Sequence, residues 1–232
     1  MVQIKGLQKT TLVDYPGKVA CTVFLPGCNF RCGYCHNADL VCSAAALPTI
    51  PEKEFFAFLA SRKGKVEGVC ITGGEPTITK GLPEFCKRVK DAGFLVKLDS
   101  NGTNPSVLRR LIEEKLVDYI AMDVKAPIEQ YSIVSCVDTD TGKLAESIGL
   151  IRESGIDYEF RATVIPDVFT DETVKAIGKA VCGAKRFFFQ QFQPSKKAMG
   201  ERYRDMEPLP AEALESFGRV MRQFVGEVGI RK

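Results

Sequence analysis

The chain has 232 residues, of which 45% are hydrophobic and 26% charged, and its formal net charge is +3. This length suits one domain or at most two small ones, and the mild charge does not indicate nucleic-acid binding. No apolar run reaches membrane-spanning length, the N-terminus lacks a secretion signal, and the nine cysteines are an odd number, so we expect a cytoplasmic protein without membrane contact.

Apolar strand-like runs alternate with amphipathic helical runs along the chain. In chain order the predicted elements are strand Val19–Leu25, helix 52–64, strand Val66–Thr72, helix Pro83–Ala92, strand Phe94–Leu98, helix Pro105–Lys115, strand Tyr119–Val124, helix Leu144–Ser154, strand Tyr158–Ile165, helix Asp171–Val181, strand Arg186–Phe192 and helix Pro210–Val225. Pro51 is expected at the first helical position and Thr170 as an N-cap. Six βα repeats predict a parallel sheet with right-handed crossovers.

Unusual polar residues and glycines collect where the predicted strands end. They are Gly73-Gly74-Glu75-Pro76, Asp99-Ser100-Asn101-Gly102, Asp123, Lys125, Arg161, Thr163 and Gln193. In doubly wound sheets and in barrels alike, functional residues lie at the carboxyl ends of the strands. Because every strand contributes, we favour a single α/β domain built as a complete or partial barrel.

A loop after the first predicted strand, GCNFRCGYCHN, holds Cys28, Cys32 and Cys35, followed by the only histidine, His36. Its glycines and asparagines mark a loop, so the interpretation as buried apolar thiols fits it poorly. That interpretation suits Cys21, Cys70 and Cys182 better, and an apolar setting predicts a buried thiol at Cys42 as well.

Three metal-binding interpretations remain for this loop. Cys32-Gly33-Tyr34-Cys35-His36 matches the haem-attachment pattern C-x-x-C-H, but leaves Cys28 unexplained. Zinc held by three thiolates and His36 would need the adjacent Cys35 and His36 to converge on one ion, whereas closed zinc sites separate their ligand pairs. An iron–sulfur cluster held by three thiolates would keep one iron open for another ligand.

The C-x3-C-x2-C spacing, the aromatic Tyr34 before the last cysteine and Gly73-Gly74-Glu75 after the next strand resemble the radical S-adenosylmethionine (SAM) superfamily over nearly the whole chain. The resemblance implies a partial (β/α)6 TIM-type barrel in one domain, residues 1–232, with a substrate-facing segment to about residue 17 and a last helix at about 210–225. It implies a [4Fe–4S] cluster on the three cysteines. S-adenosylmethionine would bind the open iron and, on reduction, yield a 5′-deoxyadenosyl radical that abstracts hydrogen.

The resemblance also implies roles in binding S-adenosylmethionine. Gly73, Gly74 and Glu75 would accept hydrogen bonds from the methionine ammonium. The other cofactor-binding positions are Tyr34 and His36 near the adenine, Ser100 and Asn101 near the ribose and methionine, Lys125 and Arg161 with Asp123 at the carboxylate, and Thr163 and Gln193 facing the adenosine. Asp99, Ser100 and Asp123 also offer oxygen ligands, which predict a monovalent or divalent cation; the competing interpretation pairs the aspartates with Lys97 and Lys125.

The stretch TTLVDYPGKVACTVFLPGCNFRCGYCHN is similar to the glycyl-radical-enzyme activases, and closest to those of anaerobic ribonucleoside-triphosphate reductase. The implied partners are the large reductase subunit and a low-potential electron donor such as flavodoxin or ferredoxin. Departures are Ala38, where many activases have proline, and Gln193, where pyruvate formate-lyase activases have histidine. A pyruvate formate-lyase activase, a 7-carboxy-7-deazaguanine synthase and a non-enzymatic zinc or redox-thiol module remain alternatives.

The same stretch predicts a substrate-binding role for Asp14 and Gly17. Because Thr11–Gly17 precedes the first predicted strand, we expect it across the barrel mouth, near the open iron. There the Asp14 carboxylate would accept hydrogen bonds from the main chain of a glycine loop. The competing interpretation is that Asp14 only caps its own turn.

Overall fold

A computed structural model describes residues 1–231 of the chain, which form an α/β fold. Its eight strands lie in one sheet, in the order in which they follow one another in the chain. They are β1 (Gly6–Thr11), β2 (Ala20–Leu25), β3 (Gly68–Gly73), β4 (Leu95–Ser100), β5 (Tyr119–Asp123), β6 (Asp157–Val164), β7 (Arg186–Gln191) and β8 (Glu227–Arg231). The predicted α/β class, with strands and helices in alternation, is confirmed.

The helices of the described residues fall between or beside these strands. They are α1 (Ala38–Cys42), α2 (Glu52–Ser61), α3 (Leu82–Asp91), α4 (Pro105–Glu113), α5 (Tyr131–Ser135), α6 (Thr141–Glu153), α7 (Asp171–Ala180) and α8 (Ala211–Met221). Short 3-10 turns occur at Ala44–Ala46, Pro76–Ile78, Ile128–Gln130 and Glu201–Tyr203. Within residues 1–231, a helix both long and apolar enough to cross a bilayer is not found.

The chain divides into two compact units, the first of which comprises Met1–Asn29, Asn37–Ser100 and Ser106–Ile120. In this unit β1 pairs antiparallel with β2, while β2–β3 and β3–β4 are parallel pairs. Phe55 of α2 packs on Phe85 of α3 with ring centroids 5.5 Å apart, and both rings are buried. The parallel strands of this unit therefore present their carboxyl ends along one edge.

A polar row runs across the middle of the first unit's strands. The strand registers align Thr22 with Cys70 and Cys70 with Lys97, and all three residues are buried. The Lys97 ammonium donates to Asp99 and lies 3.7 Å from the Cys70 sulfur. A buried ammonium without a counter-charge is destabilising, so the ion pair with Asp99 is what allows a lysine at this buried position.

The second unit comprises Phe30–His36, Asn101–Pro105 and the chain from Ala121 onward. Here β6, β7 and β8 pair in parallel. The guanidinium of Arg231 in β8 donates to both oxygens of the buried Glu159 carboxylate, at 2.6 and 2.7 Å, and stacks 3.9 Å from the Phe188 ring centroid. This bidentate pair ties β8 to the inner side chains of β6 and β7.

The six predicted strands correspond to β2–β7, and the six predicted helices to α2, α3, α4, α6, α7 and α8. Thr170 caps α7, where it and Thr173 form a reciprocal capping box, whereas Pro51 occupies the N-cap of α2, one position earlier than predicted. The predicted elements do not include β1, β8 or the short helices α1 and α5. β1 was missed because its central residues are exposed and polar, so it lacks the apolar character of a covered strand.

The exposure of two cysteines differs from the prediction. Cys21 and Cys70 are buried as expected, and burial raises the pKa of the Cys21 thiol to about 12. Cys42 and Cys182 are exposed, so the prediction of buried thiols there is wrong. Cys42 is the last residue of the short helix α1, and Cys182 lies in the turn after α7. Apolar residues nearby in the sequence therefore did not lead to burial at either position.

Candidate active site

The three cysteines of the loop between β2 and α1 do not form disulfides. Cys32 is buried, while Cys28 and Cys35 are half-buried. Cys28 belongs to the first compact unit, and Cys32 and Cys35 to the second, in which the Cys35 N–H donates to the Cys32 carbonyl at 3.0 Å. Burial raises the pKa of the Cys32 thiol, an effect that the nearby Lys125 charge opposes.

In the first unit, the Gly73-Gly74-Glu75 turn is bonded to the beginning of the cysteine loop. The Gly74 N–H donates to the Leu25 carbonyl at 2.9 Å, and the Glu75 N–H donates to the Gly27 carbonyl at 2.7 Å. A Cβ on Gly74 would lie 1.7 Å from the Gly27 oxygen, and Gly73 has φ +124°. Both glycines are therefore required by close main-chain approach.

The Glu75 side chain is buried and is held by hydroxyl groups. Its Oε1 accepts from the Ser100 hydroxyl at 2.9 Å, from the Thr77 hydroxyl at 2.5 Å and from the Thr77 N–H at 3.1 Å. The carboxylate thereby caps the 3-10 turn that follows, and two of the predicted cofactor-binding residues, Glu75 and Ser100, are brought together. Asn37, which was not predicted to bind cofactor, donates to the Gly73 carbonyl at 2.9 Å.

In the second unit, Asp123, Lys125 and Arg161 form a half-buried charge cluster. The Asp123 carboxylate accepts from Arg161 Nε at 2.6 Å and from Lys125 Nζ at 3.0 Å. Burial alone would raise the pKa of Asp123, but the charges of Arg161 and Lys125 outweigh it and hold that pKa well below its usual range. Two cations against one carboxylate leave a net positive charge, which favours a bound anionic group.

Tyr131 completes this cluster. Its hydroxyl donates to the Asp123 carbonyl at 3.2 Å and accepts from the Lys125 N–H at 3.1 Å, and burial raises the pKa of Tyr131 to about 12. Burial opposes the charge on Lys125, yet Asp123 raises the Lys125 pKa well above its usual value. A tyrosine in a short helix gave no sequence signal for this role, because its partners are main-chain groups six and eight residues away.

The middle of the cysteine loop packs on the segment near residue 200, also within the second unit. The Gly200 N–H donates to the Gly33 carbonyl at 2.8 Å, and a Cβ on Gly33 would lie 2.6 Å from the Tyr203 ring. The Tyr34 ring lies edge-on to Tyr203, with centroids 6.0 Å apart. Burial raises the Tyr34 pKa well above its usual value, so this phenol stays neutral. Gly200 and Tyr203 were missed by the sequence analysis.

Four further predicted residues lie in the second unit. The ring of the exposed His36 makes a 2.8 Å hydrogen bond to the main-chain carbonyl of Gln193. Asn101 Oδ1 accepts from the N–H and hydroxyl of Thr103, at 3.0 and 2.7 Å, and so closes a turn. Thr163 pairs in register with Gln190 near the end of β6 and is half-buried. His36 and Gln193 are thus in contact.

The Thr11–Gly17 segment does not lie where it was predicted. Tyr15 is buried, with its ring 5.9 Å from that of Tyr119, the first residue of β5. A Cβ on Gly68, the first residue of β3, would lie 2.9 Å from the Tyr15 ring. The segment therefore packs at the amino ends of the first unit's strands, and the expected position beside the cysteine loop is wrong. The β1–β2 hairpin, which was not predicted, carries the segment there.

Asp14 and its turn are held by two threonines. Thr11 Oγ1 accepts from the Val13 and Asp14 N–H groups at 3.3 and 3.2 Å, so Thr11 rather than Asp14 caps the turn. Asp14 Oδ2 accepts from the Thr22 hydroxyl at 2.5 Å. Gly17, with φ +70°, ends the turn in a conformation that favours glycine.

The predicted cation gains no support, since its aspartates bond to cationic side chains. Asp99 accepts from Lys97, and Asp123 accepts from Lys125 and Arg161. Among residues 1–231, no three His, Cys, Asp or Glu side chains converge as ligands of one metal ion. The donor chemistry nevertheless fits an iron–sulfur cluster, because each thiolate of such a cluster binds a different iron and the thiols need not meet at one point.

The sequence matches the profile of the radical SAM superfamily over residues 22–180. A candidate glycyl-radical enzyme activating enzyme of Methanocaldococcus jannaschii is 33% identical over 98% of this chain and 95% of its own length. The pyruvate formate-lyase-activating enzyme of Clostridium pasteurianum is 30% identical over 54% of this chain and 53% of its own length.

Among solved structures, a domain of pyruvate-formate lyase-activating enzyme from Bacteroides vulgatus superposes with a TM-score of 0.55 and 15% identity. It covers 72% of this chain and 99% of that domain, and at this identity it bears on the fold alone. It supports the partial-barrel α/β fold that the cysteine motif implied. The [4Fe–4S] cluster and S-adenosylmethionine follow from the family, and Cys28, Cys32 and Cys35 are the thiols in its motif. The chain belongs to the radical SAM superfamily, as an enzyme of the glycyl-radical-enzyme activase type.

Proposed function

We propose that this enzyme installs a glycyl radical on the large subunit of an anaerobic ribonucleoside-triphosphate reductase. The observation that carries the activase function is the 33% identity with a candidate glycyl-radical enzyme activating enzyme over 98% of the chain. The reductase as partner rests on the TTLVDYPG stretch before the cysteines and on the YCHN-x-x-L run ending at Leu40.

The proposed cofactor roles follow from the two groups of residues described above. The cluster and S-adenosylmethionine supply, when bound and reduced, the radical that removes a hydrogen atom from glycine. Cys28, Cys32 and Cys35 hold the cluster in this proposal. The net positive charge of the Asp123–Lys125–Arg161 cluster orients the methionine carboxylate, and the main-chain edge at Gly73–Glu75 receives its ammonium.

Position 193 supports the choice of the reductase over pyruvate formate-lyase. The His36 ring is bonded to the main-chain carbonyl at this position, so its contact does not depend on which side chain stands there. The preference rests instead on the residue type, since glutamine stands where pyruvate formate-lyase activases have histidine. A low-potential flavodoxin or ferredoxin is the proposed electron donor, because the family chemistry begins with a one-electron reduction.

The test combines the anaerobically reconstituted enzyme, S-adenosylmethionine and a strong reductant with either the purified reductase or pyruvate formate-lyase. We expect the electron paramagnetic resonance doublet of a glycyl radical on the reductase and not on pyruvate formate-lyase. A doublet on the lyase alone would replace the reductase as partner, and no doublet on either would refute both activase assignments.

Asp14→Asn tests whether Asp14 contacts the partner protein, which it would do from the amino ends of the strands and not beside the cysteine loop. An amide oxygen still accepts the Thr22 hydrogen bond, so the turn should keep its shape while the negative charge is lost. We expect normal 5′-deoxyadenosine formation without partner, but at least about a tenfold lower radical yield on the reductase, as for one lost charge-assisted hydrogen bond. A normal radical yield would limit Asp14 to holding the hairpin, and equal loss of both products would assign it to cofactor binding.

A further inference from the structure

The tip of the β1–β2 hairpin exposes two large apolar side chains side by side. Leu12 is 73% and Val13 81% exposed, although both lie between buried Thr11 and buried Tyr15. The tip is ordered, because Thr11 Oγ1 accepts the N–H groups of Val13 and Asp14 and Tyr15 is anchored on Tyr119. Single exposed apolar residues are common, but an adjacent pair on a fixed tip offers preorganised contact area.

Basic side chains lie on the hairpin and on the segment joined to it. The loop after α2 joins the hairpin through the 2.9 Å bond from Arg62 to the Thr10 hydroxyl, and the Glu67 N–H donates to the Val19 carbonyl at 2.7 Å. We call the cations on these segments the basic rim. They are Lys9, Lys18, Arg62, Lys63 and Lys65.

The rim carries a clear excess of positive charge. Its five cations stand against two carboxylates on the same segments, those of Asp14 and Glu67. Glu67 is already paired with Lys18 at 3.0 Å, and Asp14 accepts from Thr22. Lys9, Lys63 and Lys65 are exposed. An apolar centre bordered by charged groups is the composition of a protein-binding patch.

We propose that Leu12, Val13 and the basic rim form a docking surface for the glycyl-radical partner protein, which would present an apolar pocket bordered by acidic side chains. This inference rests on the proposed function, since an activase must hold a protein substrate and not only its reacting glycine. Charge complementarity selects the acidic partner and speeds encounter, while the apolar pair adds lifetime to the complex. Asp14 directly follows the pair, so a partner docked there would also contact this carboxylate, at the end of the strands opposite the start of the cysteine loop.

Two variants test the surface in the reconstituted holoenzyme. Leu12→Ser/Val13→Ser removes the apolar centre, and Lys9→Glu/Lys63→Glu/Lys65→Glu reverses the exposed charge. For each we would measure the KM for the reductase in glycyl-radical formation, together with partner-free 5′-deoxyadenosine formation. We expect partner-free turnover unchanged and KM raised about tenfold or more by either variant. The charge variant should also lose the salt dependence that the wild type shows.

A charge-matched control is Lys53→Glu/Lys80→Glu/Lys175→Glu, which makes the same change on exposed lysines elsewhere and should keep the wild-type KM. Unchanged KM in both test variants, with an active wild type, would overturn the docking surface and leave the proposed function standing. A wild type that raises no radical on the reductase refutes that function, and the docking surface with it. A shift from dimer to monomer in Leu12→Ser/Val13→Ser at constant KM would make the tip a self-association surface and overturn the proposal.

Discussion

Gly74 is the position where the cysteine loop and the turn after β3 leave least room. The atom that an added methyl group would meet is the main-chain oxygen of Gly27, 1.7 Å away, and the residue after Gly27 is Cys28, a proposed cluster ligand. A flexible side chain could rotate away from such a clash, but a main-chain carbonyl can move only with its loop. The close approach of Gly74 to the Gly27 carbonyl thus constrains the position of Cys28, the next residue.

Gly74→Ala should therefore cost both stability and cluster content. We expect a loss of about 3 kcal/mol or more in the free energy of unfolding, as for severe overpacking, and most of the iron and sulfide missing after anaerobic reconstitution. Gly149→Ala in α6 is the matched control, because its Cβ would meet no atom within 4 Å and alanine favours the helix by up to about 1 kcal/mol. Full iron content in Gly74→Ala would contradict this account.

Individual site residues could be predicted from the sequence where a motif fixes their spacing along the chain. The cysteines and Gly73-Gly74-Glu75 were found in this way, whereas Asp123, Lys125 and Arg161 were found from their positions near the ends of predicted strands. Tyr203 and Gly200 could not be, because they reach Gly33 across more than a hundred and sixty residues of chain and carry no spacing signal. The Lys97–Asp99 ion pair was one of two interpretations of Asp99, the other being a cation ligand. The structure, and not the sequence, decides for the ion pair.

At the scale of elements, β8 is held by one charged contact as much as by its strand pairing. Glu159 is buried, and the Arg231 guanidinium is its bidentate partner. Arg231→Met removes the partner but leaves the buried carboxylate, at an expected cost of about 2–4 kcal/mol in the free energy of unfolding, reduced because Arg231 is partly exposed.

The double variant Arg231→Met/Glu159→Gln provides the comparison for this pair. It also removes the buried charge of Glu159, so it should regain most of the stability that Arg231→Met loses, which chemical denaturation of both variants and the wild type would measure. Equal losses that simply add in the double variant would show that the two side chains do not stabilise each other.

Elements with a strong apolar pattern were predicted to within a few residues, and the edge elements were not. β2–β7 read as continuous apolar runs because both faces of a central strand are covered. β1 (GLQKTT) and β8 (EVGIR) have half-buried or exposed residues that carry no such pattern. Missing β1 had a consequence for function, since the hairpin that it forms with β2 carries Asp14 to the amino ends of the strands.

For the whole molecule, each compact unit is built from segments that are not continuous in the sequence. The second compact unit takes in Phe30–His36 from far upstream, through the Arg31 N–H bond to the Ser135 carbonyl at 2.8 Å and the ring contacts of Phe30 and Tyr34. Dividing the chain near residue 121 would therefore leave the second unit without its upstream segments.

A fragment of residues 121–232 should therefore unfold without a cooperative transition when followed by circular dichroism on heating. The same fragment preceded by residues 27–37 and a flexible Gly/Ser linker regains those contacts, and we expect a cooperative transition at higher temperature. Superimposable melting curves for the two fragments would show that the loop adds nothing to the fold of this unit.

The contact between Gly33 and Tyr203 bears on how this lineage of enzymes can diverge. Position 33 lies inside the cysteine motif, between two of its cysteines, yet what limits it to glycine here is a ring 170 residues downstream, 2.6 Å from where a Cβ would be. Homologues with a side chain at position 33 should carry a smaller residue at position 203. Positions 33 and 203 should covary in an alignment of homologues, even though position 33 lies in a motif and position 203 lies in a segment without one.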